Sequence, residues 1–160
     1  MKPKFILAYM DVAERFAQLS HASRAKVGAI IVKDNRVISI GYNGMPSGWP
    51  NECEYEIHHH ELGTTTCISN KEVLHAEANA IAKVAKSNES CDNATIFCTH
   101  EPCMECAKLI LQCGISSVYY RYAHNSNNYG SGIEFLNQSN INVEIVNEDS
   151  FNYRYSHRRA

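Results

Sequence analysis

The stretch ATIFCTHEPCMECAKLILQCGISSVYYRY, Ala94 to Tyr122, sets the architecture. Ala94 to Thr99 and Ser117 to Tyr122 are short runs rich in β-branched and aromatic residues, the composition of strands. Between them Pro102 to Cys113 reads as a helix, with proline in its first turn and Gly114 just past its end. Two strands joined by one helix lie parallel through a right-handed crossover. The flanks continue the alternation: an alanine-rich helix over Glu72 to Lys86, a weaker helix at Ile133 to Asn137, and a strand over Ile141 to Val146. Further upstream, Val27 to Lys33 and Arg36 to Ile40 meet at Asp34-Asn35, a pair that tolerates left-handed backbone, so a β-hairpin is expected. At the N-terminus Phe5, Tyr9, Val12, Phe16 and Leu19 fall on one stripe of a helix running from Phe5 to Ser20. The class is α/β: a three-layer α/β/α arrangement with a central five-stranded mixed sheet, largely parallel and carrying the hairpin at one edge.

The chain of 160 residues fits one domain, 1–160. Seventeen acidic residues against 15 basic ones give a formal charge of -2, so no broad positive field exists to hold a long polyanion, and phosphate recognition has to be local. The apolar run Phe5 to Met10 ends at Asp11, too short for a signal-peptide core or for the ~20 residues of a membrane span, so a cytoplasmic protein is expected. Residues 41–70 show almost no periodicity and include His58-His59-His60. A loop of that length inside one domain is commonly functional. The polar tail, 147–160, carries Arg154, Arg158 and Arg159. Seven cysteines are many for a reducing compartment and odd in number, which favours metal ligation over a disulfide framework.

Pro102-Cys103-Met104-Glu105-Cys106 opens a helix, so Cys103 and Cys106, three apart, project from the same side of its first turn, where backbone N–H groups and the helix dipole favour thiolates. His75 lies at the start of another helix. One His and two Cys form the ligand set of a catalytic zinc whose fourth position is left for water. A structural zinc needs a fourth protein ligand, for which Cys98 and Cys91 are the nearest candidates. Glu77, two residues past His75, has no basic partner four residues on, since position 81 is Ile, and is placed to act as an acid–base group. His75-x-Glu77 followed by Pro102-Cys103-x-x-Cys106 is the signature of zinc nucleobase deaminases.

Further segments narrow the likeness: Ser20 to Ala29 (SHASRAKVGA), Gly41-Tyr42-Asn43-Gly44 with Pro46 and Gly48, His75 to Ile81 (HAEANAI) and Thr99 to Ile110 (THEPCMECAKLI). From about Ser20 to Val146 the chain resembles the deoxycytidylate (dCMP) deaminases of the cytidine deaminase-like fold. That resemblance implies a cytoplasmic, zinc-dependent enzyme deaminating dCMP to dUMP for thymidylate synthesis, with zinc on His75, Cys103 and Cys106 and with Glu77 moving the protons. It also implies Tyr122 stacking on the base (Tyr120 and Tyr129 being alternatives), Lys26 and Arg24 for the phosphate, and Asn79 as a further polar contact. Finally it implies a homohexamer activated by dCTP and inhibited by dTTP, each with Mg²⁺, at a second site built around Gly41, Tyr42, Asn43, Gly44 and Gly48, where glycine amides can approach phosphates. Where relatives carry a further zinc ligand this chain reads Ser20-His21-Ala22, so a second zinc site would need His21, Cys53, Cys67 and one of His58, His59 or His60. The rival readings are a nucleoside or tRNA deaminase of the same superfamily, and a non-catalytic interaction module stabilised by zinc.

Overall fold

The computed structural model describes residues 1–123 and 132–147, so Tyr129 and the arginine-bearing tail lie outside the described residues. The order of elements is α1 (Pro3–Ala17), β1 (Gly28–Lys33), β2 (Arg36–Tyr42), β3 (Glu54–His59), β4 (Thr64–Ser69), α2 (Ala76–Val84), β5 (Thr95–His100), α3 (Met104–Gln112), β6 (Ser117–Tyr122), α4 (Gly132–Gln138) and β7 (Asn142–Ile145). Five strands form the central sheet in the order β2-β1-β5-β6-β7, and β3 with β4 forms a separate two-stranded sheet.

The sheet is mixed as expected but less parallel than the sequence suggests, because β1 runs antiparallel to β5 as well as to β2, leaving only β5/β6 and β6/β7 parallel. Both faces are covered, and the strands alternate between them. Ala29 and Ile31 of β1, Ile96 and Cys98 of β5, and Val118 of β6 pack with α2, α3 and α4, while Ile30, Val32, Phe97 and Tyr119 pack under α1. The β1/β2 turn has Asp34 and Asn35 at φ 50° and 58°, as their side chains tolerate.

Three expectations are corrected. Helix α1 buries Ile6, Leu7, Met10, Ala13 and Ala17, leaving Tyr9, Val12 and Phe16 at the flank and Phe5 and Leu19 exposed. The cause is a close approach: a Cβ on Gly28 would overlap the Ala13 carbonyl oxygen, so small residues face the sheet and the large ones straddle it. The supposed structureless loop contains the hairpin β3/β4, paired from Glu54↔Ser69 to His59↔Thr64 and turned through Gly63 at φ 61°. Its strands carry little apolar alternation because the hairpin is largely exposed. Lastly, α2 and α3 begin later than expected. Leu74 is extended and exchanges both backbone hydrogen bonds with Gly44, and Pro102 precedes the cap of α3 rather than lying in its first turn. Among the described residues no helix is long and apolar enough to cross a membrane.

Candidate active site

Helices α2 and α3 pack against each other on one face of the sheet and begin near a common point just beyond β5. His75 is the N-cap of α2 and Cys103 the N-cap of α3. Both have extended backbone, with ψ 153° and 169°; the His75 side chain does not bond its own helix, and that of Cys103 meets its own helix at Cys106. An N-cap side chain usually serves only its own helix; here the two also turn toward each other. Cys106 follows one turn into α3 on the same side. His75 Nδ1 lies 3.5 Å from Cys103 Sγ and 3.4 Å from Cys106 Sγ. A zinc ion bound tetrahedrally, with bonds of about 2.0–2.1 Å to nitrogen and 2.3 Å to sulfur, separates its N and S ligands by about 3.5 Å. The donor set therefore fits zinc and leaves one coordination position over. Among the described residues it is the one group of three or more His, Cys or acidic side chains so arranged. Neither candidate for a fourth ligand joins it: Cys98 is wholly buried in β5, and the Cys91 thiol bonds that of Cys113.

The electrostatics suit a cation. Cys106 donates its S–H to Cys103, which with the bond from His75 draws the Cys103 thiol down to about 3 against the effect of burial. The same bond, together with burial, pushes Cys106 up. His75 is raised chiefly by its bond to Cys103. Glu77, the second residue of α2, is 4% exposed. Burial pushes its carboxyl above the ordinary range, opposed by the bond from its own backbone amide and by the charge of His75. A cleft of about 380 Å³ opens over His75, Glu77 and Cys103, and its walls include Arg24, Asn43, Glu54, Ser69 and His100.

The other residues singled out by the sequence lie as follows. Arg24 lines the cleft, whereas Lys26 is exposed and outside it. Tyr122 donates its hydroxyl to Glu14 Oε1 at 3.1 Å, and its ring stands 5.3 Å from that of His100, which itself lines the cleft. Asn79 is engaged in holding the end of β2, its Nδ2 donating to the Tyr42 carbonyl at 2.9 Å. Asn43 braces the strip beneath Arg24, with Oδ1 accepting from Val27 N and Nδ2 donating to the Ala25 carbonyl, both at 2.8 Å. Gly41 is buried in β2, where a Cβ would overlap the Ala76 carbonyl oxygen. The Gly44 amide is spent on Leu74, and Gly48, at φ 89°, faces open space. The second metal cluster is not assembled. Cys53 is buried, Cys67 sits across from Glu56, and His58 and His59 bond Thr65 and Thr66, with no three of these residues within ligand reach.

Sequence reading missed Glu54, Ser69 and His100. The first two become visible only once the hairpin pairs them; the third carried a signal, since it ends the strand that feeds the Pro-Cys-x-x-Cys motif.

The family model for the cytidine and deoxycytidylate deaminase zinc-binding region matches residues 3–122. The deoxycytidylate deaminase of Enterobacteria phage T4 is 31% identical over 182 residues, covering 89% of this chain and 94% of the relative. ComE operon protein 2 of Bacillus subtilis is 34% identical over 142 residues, covering 88% and 70%. Among solved structures, the dCMP deaminase of cyanophage S-TIM5 in complex with dCMP and dUMP is 44% identical with a TM-score of 0.76, over 91% of this chain and 99% of that one. By sequence, fold and the arrangement of His75, Glu77, Cys103 and Cys106, this chain belongs to the cytidine and deoxycytidylate deaminase family.

Proposed function

We propose that the chain hydrolyses dCMP to dUMP and ammonia, a reading carried by one observation: a buried carboxyl, Glu77, stands beside a three-donor cluster at the floor of a cleft that Arg24 lines. The chemistry named for the similar phage enzymes supports it. His75, Cys103 and Cys106 would hold the ion, and zinc bound there would supply a Lewis acid that makes a water nucleophilic near neutral pH. Glu77 accepts that water's proton as its oxygen adds to C4 of the pyrimidine. It passes that proton to N3, takes up the remaining proton of the added hydroxyl, and gives it to the amine as the C4–N4 bond breaks. Its burial suits the task, because a carboxyl with a raised pKa is a competent donor near pH 7. Arg24 is the cation for the 5′-phosphate. Lys26, exposed outside the cleft, is a peripheral charge for it, Asn79 supports the site only by holding the end of β2, and Tyr122, set against His100, serves the base side.

The wider role is supply of dUMP for thymidylate synthesis in the cytoplasm, by a homohexamer that dCTP activates and dTTP inhibits, each with Mg²⁺. The open, left-handed Gly48 is the loop position that best supports such an effector site, with Tyr42, Asn43, Gly41 and Gly44 forming its base. The decisive assay is ammonia release from dCMP by the zinc-loaded protein, repeated with dCTP and with dTTP. Flat rates across effectors would remove the regulatory part. Tightly bound zinc without turnover, even with dCTP and Mg²⁺ present, would favour a purely structural metal. Editing of tRNA or single-stranded nucleic acid fits less well: among the described residues, Glu54, Glu77 and Glu101 line the cleft against a single Arg, a poor match for a polyanion.

A further inference from the structure

We propose that Glu54 is a positioning residue for the substrate's phosphate. It fixes the Ser23–Arg24 backbone so that the guanidinium of Arg24 is held in the cleft, and the β3/β4 hairpin thereby becomes the part of the chain that distinguishes a nucleoside monophosphate from a nucleoside. This deepens the reading of the cleft given above and rests on it.

The hairpin holds Arg24 at both ends. The Glu54 carboxylate accepts the Ser23 amide at 3.2 and 3.1 Å and the Arg24 amide at 3.3 Å. Ser69, the cross-strand partner of Glu54, accepts a hydrogen bond from Arg24 Nη1 at 3.1 Å. Hydrogen bonds from N–H groups to an ionised carboxylate are stronger than neutral ones. The base of the hairpin is itself pinned: Asn70 donates its amide to the Cys53 carbonyl at 2.9 Å and its side chain to the Glu52 carbonyl at 2.6 Å, beside the buried Cys53.

Arg24, Glu54 and Ser69 all line the cleft that contains His75 and Glu77, and among the described residues lining it Arg24 is the sole Lys or Arg. A guanidinium has five N–H donors in a fixed fork. With one given to Ser69, a face remains for two phosphate oxygens. A carboxylate so close to a phosphate site would repel its ligand if its own oxygens faced the ligand unpaired. Here they are taken by two backbone N–H groups, which makes anchoring of the loop the role consistent with its place.

The test compares substrates that differ only in the phosphate. For zinc-loaded Glu54→Ala, KM for dCMP is expected to rise at least tenfold with kcat within twofold, while kcat/KM for deoxycytidine stays at the parent value. Glu54→Gln, which keeps one acceptor, falls between. The double variant Glu54→Ala/Arg24→Ala should be no worse on dCMP than Arg24→Ala alone, since one residue acts through the other. Calorimetry with dUMP and deoxyuridine gives a readout independent of turnover, and the preference for dUMP should collapse in Glu54→Ala. Thermal melting checks that the variants fold. An equal loss on dCMP and deoxycytidine, an additive double variant, or an undiminished preference for the phosphate in Glu54→Ala would each overturn the proposal. A parent protein that itself prefers neither dCMP to deoxycytidine nor dUMP to deoxyuridine would overturn the reading of the cleft, and this inference with it.

Discussion

At the floor of the cleft, His75, Glu77, Cys103 and Cys106 are fixed by the first turns of two helices packed on the sheet. At its rim, Glu54, Ser69 and Arg24 are fixed by side-chain hydrogen bonds to a hairpin largely surrounded by solvent. The floor's geometry is thus inherited from backbone and core, with Ala76, Ala80 and Ala107 wholly buried, whereas the rim's depends on a few polar contacts. Chemistry that must hold reacting atoms within fractions of an ångström belongs on the first kind of support, and recognition of a charged, solvated group is served by the second.

The contrast breaks most completely at the metal donors. His75→Ala should lose zinc and all measurable ammonia release, as read by elemental analysis and a dCMP assay. Stoichiometric zinc in that variant would mean that the two sulfurs find another partner. Next comes Glu77→Gln, expected to keep its zinc and lose about 10²–10⁴ in kcat, the usual worth of a general acid–base group. The same variant carries a signature in pH. Because burial raises the Glu77 pKa from its ordinary 4.5, the protonated carboxyl's contribution to stability is complete below that value and is lost as pH climbs through the raised one. In chelator-treated protein, melting of Glu77→Gln should therefore gain on the parent as pH rises above 4.5, with no such gain below it.

A smaller effect tests whether the floor is truly set by backbone: Gly41→Ala, on the strand under α2, should cost about 1–3 kcal/mol of stability through overpacking, measured by denaturant titration, and weaken zinc retention. The smallest is at the exposed hairpin, where Ile57→Thr should change stability by no more than about 0.5 kcal/mol and leave KM for dCMP alone. A large shift there would mean that the hairpin is more tightly integrated with the floor than its exposure implies.

How much the sequence disclosed follows the same division. Cys103 and Cys106 are readable because helical spacing ties neighbours in sequence to neighbours in space, and β5 and β6 are readable because strands buried in the sheet must be largely apolar. The hairpin was not readable. Glu54, Tyr55, Glu56, Ile57, His58 and His59 are partly or fully exposed, so no period of two marks them, and with the hairpin hidden the pairing of Glu54 with Ser69 was hidden too. The stripe of α1 differs for another reason: large apolar side chains suggest burial, while Gly28 demands alanines at the closest approach. Asn43 and Asn79 carry polar groups of the kind a ligand uses, yet each holds a backbone carbonyl of a neighbouring segment, a local fact no spacing encodes.

Gly41 has a last consequence. Because the strand touches the helix main chain to main chain at Ala76, the height of His75 above the sheet is a fixed spacing with no adjustable layer of side chains in it. Attempts to retune the catalyst for other bases therefore have freedom around the opening but little beneath it: any side chain larger than hydrogen at position 41 forces strand and helix apart at the contact that sets the height of His75.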